Sequence, residues 1–303
     1  MPVILPPGLG AAARLRREGV EVLDQAPAHG TALRVGLLNL MPNKTATEVQ
    51  FARLLAVTRR HVELVPALPA SYRSPFEGAQ LYASWSAGAL PQGLDGLIVT
   101  GAPLEHVAFE DVIYWRELLQ IFDWATCHVG STLYVCWAAF AALNAFHGVP
   151  MRILPRKLSG VFEQRVTDAT HSLTAGMGAT FPCPVSRHAE VAIHDVPWRR
   201  GLLCLAQSTQ SGLCLIADER RRALYMFNHL EYDGDTLNFE YQRDRARGAD
   251  LALPRNYWPN DNMSIAPPLV WRASAERLFA NWLATLAARA SAQLPVGPTQ
   301  SAA

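Results

Sequence analysis

Short apolar, β-branched runs alternate with helix-forming stretches through the first half of the chain, and few folds accept that alternation. Leu33–Leu40, His61–Val65, Leu94–Thr100 and Leu133–Val135 read as buried strands. Between them lie helix candidates: Val49–Val57 behind a Thr45–Glu48 capping box, a mixed-face Glu110–Trp124, and the alanine-rich run that starts at Trp137. Strands and helices in this order predict an α/β fold, a mostly parallel sheet with helices on both faces. In such sheets ligands bind outside the carboxyl ends of the strands. Three connections converge on that rim: Met41–Thr45, Gly101–Glu105 and the corner at Cys136.

The second half is less regular. From Met151 to about His194 the pattern is mixed and rich in turns. Leu202–Ala206, Leu213–Ile216 and Ala223–Phe227 read as further strands, Thr236–Arg247 as a helix, Asn256–Pro268 as irregular and Trp271–Ala290 as a long amphipathic helix. No internal repeat or linker divides the chain. The expected organisation is an N-terminal arm over 1–32 lying outside the core, with a helix possible in Ala11–Leu23, then one α/β domain over 33–290 and a disordered tail over 291–303.

Half of the 303 residues are hydrophobic and 17% are charged, enough for a sizeable core. Lys plus Arg is 27 against 26 Asp plus Glu, a balance that argues against nucleic acid or an anionic membrane as partner. The five cysteines form no C-x-x-C pair and are odd in number, so neither a disulfide framework nor a zinc site is expected, and the usage fits a reducing cytoplasm. No signal peptide is read at the N-terminus, and the apolar run Leu133–Phe146 is too short to span a bilayer.

Cys136 falls where strand gives way to helix. Backbone N–H groups and the helix dipole favour an anion at such a corner, which suits a thiolate, and the arrangement is a nucleophile elbow built with cysteine. A lone cysteine in an apolar run is more often a buried structural residue. His229 and Glu231 stand two apart at the end of a strand candidate, so they would share one side, as base and orienter for the thiol. Taken alone, a surface His and Glu is the commoner reading. Gly101, after a strand, and the N–H of Trp137 are candidate oxyanion donors, against an ordinary tight turn. Lys157, Arg187 and Arg243 could hold a substrate carboxylate, although each is equally a solvated charge. Trp115, Trp124 and Trp271 read as core.

These separate signals meet in longer motifs. "LNLMPNKTATEVQFARLL", "TGAPLEHVAFEDVIYWREL", "YVCWAAFAAL", "RKLSGVFE", "NHLEYDGDTLNFEYQRD" and "NYWPNDN" followed by "WRASAERLFANWL" resemble, in order from about Leu33 to Leu286, the homoserine O-acyltransferase family, also called homoserine transsuccinylase. The resemblance implies a flavodoxin-like sheet similar to class I glutamine amidotransferases, with a Cys–His–Glu constellation. It makes Cys136 the acyl-thioester nucleophile, His229 the proton acceptor and Glu231 its partner. It places Lys157, Ser186 and Arg243 at positions that bind the amino-acid substrate, and Glu105 at the position associated with acyl-donor choice, where glutamate goes with acetyl-CoA and glycine with succinyl-CoA.

The expected activity is therefore a homoserine O-acetyltransferase of methionine biosynthesis, cytoplasmic and homodimeric, acting on small molecules with acetyl-CoA as co-substrate and no metal or other cofactor. Val185 and Phe140 stand where the family commonly has histidine and glutamine, which keeps L-serine open as acceptor. Succinyl-CoA as donor, and a glutamine amidotransferase-like hydrolase on the same fold, are the alternatives.

Overall fold

The computed structural model describes residues 2–27, 32–73, 75–86 and 91–293. In chain order the elements are β1 (Val3–Ile4), α1 (Ala11–Arg17), β2 (Val22–Leu23), β3 (Leu33–Leu38), α2 (Lys44–Leu55), β4 (Val62–Pro69), β5 (Ala83–Trp85), β6 (Gly96–Val99), α3 (Trp115–His128), β7 (Ser131–Val135) and α4 (Trp137–His147). The second half adds β8 (Arg152–Val166), β9 (Thr180–Glu190), β10 (Leu202–Ser208), β11 (Gly212–Asp218), β12 (Ala223–Met226), α5 (Thr236–Ala246) and α6 (Arg272–Gln293).

All the described strands join one sheet in the order β2-β1-β4-β3-β6-β7-β12-β11-β10-β8-β9, with β5 beside β4. From β2 to β12 neighbours run parallel, while β11, β10, β8 and β9 are added antiparallel. The central strands β6, β7 and β12 are buried at every residue. They are covered on both faces, which is why they read as unbroken apolar runs rather than alternating ones. One face carries α1, α2 and α6, with Leu15, Phe51 and Trp282 against Val35, Leu37 and Val135. The other carries α3 and α4, with Phe122, Trp137 and Phe140 against Val99, Tyr134 and Tyr225. No described helix is long and apolar enough to cross a membrane.

Three expectations need correction. The N-terminal segment is not outside the core. Val3 and Ile4 pair with Val62 and Glu63, and Ala11, Ala12 and Leu15 are buried. Two-residue strands carry too little pattern to be read from sequence. Helix α2 is capped by Asn43, whose side-chain oxygen accepts from Ala46 N at 3.1 Å, rather than by Thr45. Glu48 is therefore not a capping-box partner; it is buried and bonded to Tyr82. The turn-rich stretch after Met151 folds as the long β8–β9 hairpin. Its burial pattern is irregular along β8, so no clean period of two was visible. Of the expected tail, residues 291–293 continue α6, and 294–303 lie outside the described residues.

Candidate active site

Helix α4 begins at a sharp corner. Cys136 has φ 50° and ψ −118°, a conformation that L-residues seldom adopt. Two backbone bonds hold it there: Cys136 N donates to Met226 O at 2.7 Å, and Cys136 O accepts from Ala139 N at 2.9 Å. The corner sets the thiol at the carboxyl edge of the sheet, by the first N–H groups of α4, which have no partner within the helix. Gly101 packs against it. A Cβ at Gly101 would lie 3.1 Å from Cys136 Cβ and 3.7 Å from its Sγ. The indole of Trp137 is buried in the core beside Phe109.

His229 and Glu231 do not sit on a strand. β12 ends at Met226, and the pair lies in the following turn. That turn still brings them together: His229 Nδ1 is 2.6 Å from Glu231 Oε1, with both side chains buried. His229 N donates to Pro184 O at 2.8 Å, and Tyr232 stacks on the imidazole with ring centroids 4.1 Å apart. Nε2 makes no hydrogen bond of ordinary geometry among the described residues, and it is the nitrogen left for the thiol. Burial alone would lower the imidazole pKa. The Glu231 carboxylate and the Cys136 sulfur outweigh that and hold it well above its ordinary value.

Cys136, His229 and Gly101 line a cavity of about 310 Å³. Glu105, Lys157, Ser186 and Arg243 line the same cavity, although they come from four different segments. Glu231 stands behind His229 and does not line it. Lys157 Nζ binds Asp244 at 2.8 Å and lies 3.7 Å from Glu240. Arg243 Nε binds Asp244 at 2.7 Å. Burial pushes the Asp244 carboxyl up, but hydrogen bonds from Arg243 and Lys157 bring it down to about 2. Glu240 accepts from the Ser186 hydroxyl and, at 2.9 Å, from Tyr232. His188 is held below its ordinary value, first by burial and then by the Lys157 charge, while Glu105 acts the other way.

Arg187 is not part of this cavity. It follows Ser186 on β9 and turns to the opposite side, where it is buried and donates to Ala189 O and Ser211 O. Val185 and Phe140 are likewise buried and absent from the cavity lining, so neither shapes an acceptor pocket directly. Glu240, Asp244 and Tyr232 also line the cavity, beyond the residues to which the sequence points. The spacing of 240, 243 and 244 on one helix, i, i+3 and i+4, was the available signal. Tyr232 carried none. No group of three His, Cys, Asp or Glu among the described residues is placed to hold a metal ion.

Against this geometry, the sequence pattern that defines homoserine O-succinyltransferase matches residues 2–292. The chain is 43% identical over 290 residues to the homoserine O-acetyltransferase of Brucella canis, covering 93% of this chain and 94% of that protein. It is 41% identical to the homoserine O-acetyltransferase of Chelativorans sp., covering 93% of each. Among solved structures, a glutamine amidotransferase from Thermotoga maritima superposes with a TM-score of 0.53 at 10% identity, over 86% of this chain and 98% of that one. A second, from Methylobacillus flagellatus, gives 0.52 at 11% identity over 84% and 94%. The fold is thus of the class I glutamine amidotransferase type, and at such identities the likeness concerns the fold alone.

Proposed function

The chain belongs to the homoserine O-succinyltransferase family, and from that premise we propose that it moves an acetyl group from acetyl-CoA to the hydroxyl of L-homoserine through an acyl-cysteine at position 136. One observation carries the reading: Cys136 and His229, the latter backed by Glu231, open into a cavity whose other wall is the Lys157, Ser186, Glu240, Arg243 and Asp244 cluster.

The Cys136 thiolate attacks the thioester carbonyl. The oxyanion is held by backbone donors at Trp137 and the Gly101 loop, and the coenzyme A thiolate leaves with a proton from His229. The acceptor then docks with its carboxylate on Arg243, supported by Lys157. Its ammonium meets Glu240, the cluster carboxylate bonded mainly by neutral hydroxyls. Neutral His229 removes the hydroxyl proton, the alkoxide takes the acetyl group, and the sulfur returns as thiolate. These steps need no cofactor.

The family bears the name of succinyl transfer, while the two relatives bear that of acetyl transfer. Glu105 favours acetyl. A succinyl carboxylate placed ~4 Å from an ionised Glu105, at an effective dielectric of ~20, meets a repulsion of about 4 kcal/mol before relaxation. An acetyl group carries no such charge. The reading also carries a cytoplasmic homodimer, which sedimentation and fractionation check.

Mass spectrometry after mixing with acetyl-CoA alone tests the covalent step: the expected result is one acetyl group on Cys136. A four-way assay, acetyl-CoA or succinyl-CoA with homoserine or serine, tests donor and acceptor. An unmodified enzyme that still turns over, or preference for succinyl-CoA, would overturn the corresponding half of the proposal.

A further inference from the structure

A second cavity, of about 610 Å³, opens beside the catalytic one. The two share a wall, since Lys157 and Leu251 line both. That wall exists because the β8–β9 ladder breaks. Pairing runs from Arg165 opposite Thr180 to Leu158 opposite Arg187 and resumes only at Ile153 opposite Ala189. Residues 154–157 therefore face His188 alone and bulge from the sheet. Their side chains diverge: Lys157 reaches Asp244 in the catalytic cavity, while Arg156 lines only the outer one.

We infer that this outer cavity receives the pantetheine arm of acyl-CoA, with Arg156 and Arg255 taking its phosphates. The inference rests on the acyl-CoA reading of the catalytic site. The catalytic cavity has to admit the thioester and an amino acid, so a donor as long as acyl-CoA needs space that continues outward. The outer cavity adjoins it across Lys157 and Leu251 and has about twice its volume. Its lining mixes apolar Leu158 and Leu253 with the polar side chains of Ser208, Thr209 and Gln210. That mixture matches an arm of amides, methylenes and a branched dimethyl carbon. Glu190 and Asp250 also line it, so its interior suits the neutral arm rather than a polyanion.

The phosphates then need cations on the exposed part of the lining. Arg156 and Arg255 are both exposed, and neither enters an ion pair among the described residues. Guanidinium is the side chain best matched to phosphate oxygens. Arg255 is also held in place. Its N donates to Ser159 O at 3.0 Å and its O accepts from Val161 N at 2.8 Å. Gly160 permits that approach, because a Cβ there would come within 2.6 Å of Arg255 N. A fixed backbone lowers the ordering cost of binding.

The test compares KM for acetyl-CoA with KM for S-acetyl-N-acetylcysteamine, a short thioester without phosphates, in the wild-type enzyme and in Arg156→Ala, Arg255→Ala and Ala252→Trp, the last at an exposed cavity-lining position. Each change is expected to raise the ratio of the two KM values about tenfold, as loss of a charge-assisted contact or of space for the arm would. Both KM values moving together, or neither moving, overturns the docking assignment while leaving the acyl-enzyme reading intact. Wild-type enzyme that neither thioester acylates at Cys136 overturns both. Circular dichroism of each variant verifies the fold.

Discussion

His229 Nδ1 and Glu231 Oε1 are 2.6 Å apart in a buried turn, and this contact decides which imidazole nitrogen faces Cys136. Glu231 is the largest of the influences that raise the His229 pKa against burial. Because the folded value is raised, the protonated imidazole contributes stability that is complete below its unfolded value of about 6.5 and is lost as pH climbs through the folded one. Glu231→Gln keeps the shape but removes the charge and no longer enforces the tautomer. It should lower kcat by roughly 10²- to 10⁴-fold, by analogy with neutralised triad carboxylates. It should also move the His229 titration to lower pH. A pH–rate profile, with imidazole resonances followed by NMR, checks both; an unmoved titration would show that Glu231 does not tune the base.

Donor choice makes a second prediction. Glu105 lines the cavity that holds the thiol, and its charge is felt at His188 on the same lining. Glu105→Gly removes a negative charge and opens space. The ratio of kcat/KM for succinyl-CoA over acetyl-CoA should rise by about a hundredfold, well under the full Coulomb figure because water and side chains relax. His188 should lose part of its protonation as well, since Glu105 raises its pKa. If the ratio does not move, Glu105 is not the group that reads the acyl chain.

The parallel half of the fold was legible because its strands are covered on both faces and its helices separate them, so local composition and architecture agree. The Cys136 corner was legible for the same reason: a strand that turns into a helix leaves one residue at the changeover. The β8–β9 hairpin was not, because its two faces are unequally covered along its length and a four-residue bulge at 154–157 interrupts the alternation. Nor could sequence place Arg187 apart from Ser186, its neighbour: which face of β9 meets the cavity depends on a partner strand far along the chain. The cluster of Lys157 with Glu240 and Asp244 depends on packing between β8 and α5, which no local pattern encodes.

The N-terminal segment makes a third prediction, because it is tied to the catalytic turn. Asp233, two residues after Glu231, accepts from Arg14 at 2.8 Å and from Arg53, with Arg272 at 3.7 Å. Asp233→Ala leaves the Arg53 guanidinium, only 14% exposed, without this partner. Glu18 still binds Arg53 at 2.7 Å, so the cost should be about 2 kcal/mol rather than the larger loss of an isolated buried ion. Arg14→Ala, at a side chain 41% exposed, should cost under about 1 kcal/mol. Thermal unfolding measures the two. Asp233→Ala should also lower kcat, as the turn carrying His229 loses its anchor. Equal stability losses would mean that the network is a surface feature.

Asp244 makes the last prediction. It holds Lys157 and Arg243 together, and its carboxyl is depressed to about 2. For a depressed carboxyl the stabilisation is present above the unfolded value of about 3.9 and disappears as pH falls through the folded one. The clamp is therefore constant across the neutral range, and acceptor KM should show no acid limb from this group until the pH nears the folded value of about 2. Asp244→Asn should cost about 1 kcal/mol at pH 7 once solvent screening is allowed for. That difference should shrink as thermal unfolding is run at falling pH and be lost below about 2. The same change frees Lys157 and Arg243 to move, so acceptor KM should rise roughly tenfold, while the rate at which acetyl-CoA acylates Cys136 changes less. Stopped-flow acylation beside steady-state acceptor kinetics separates the two. Acylation falling as far as acceptor affinity would place Asp244 in support of the thiol instead of the amino-acid pocket.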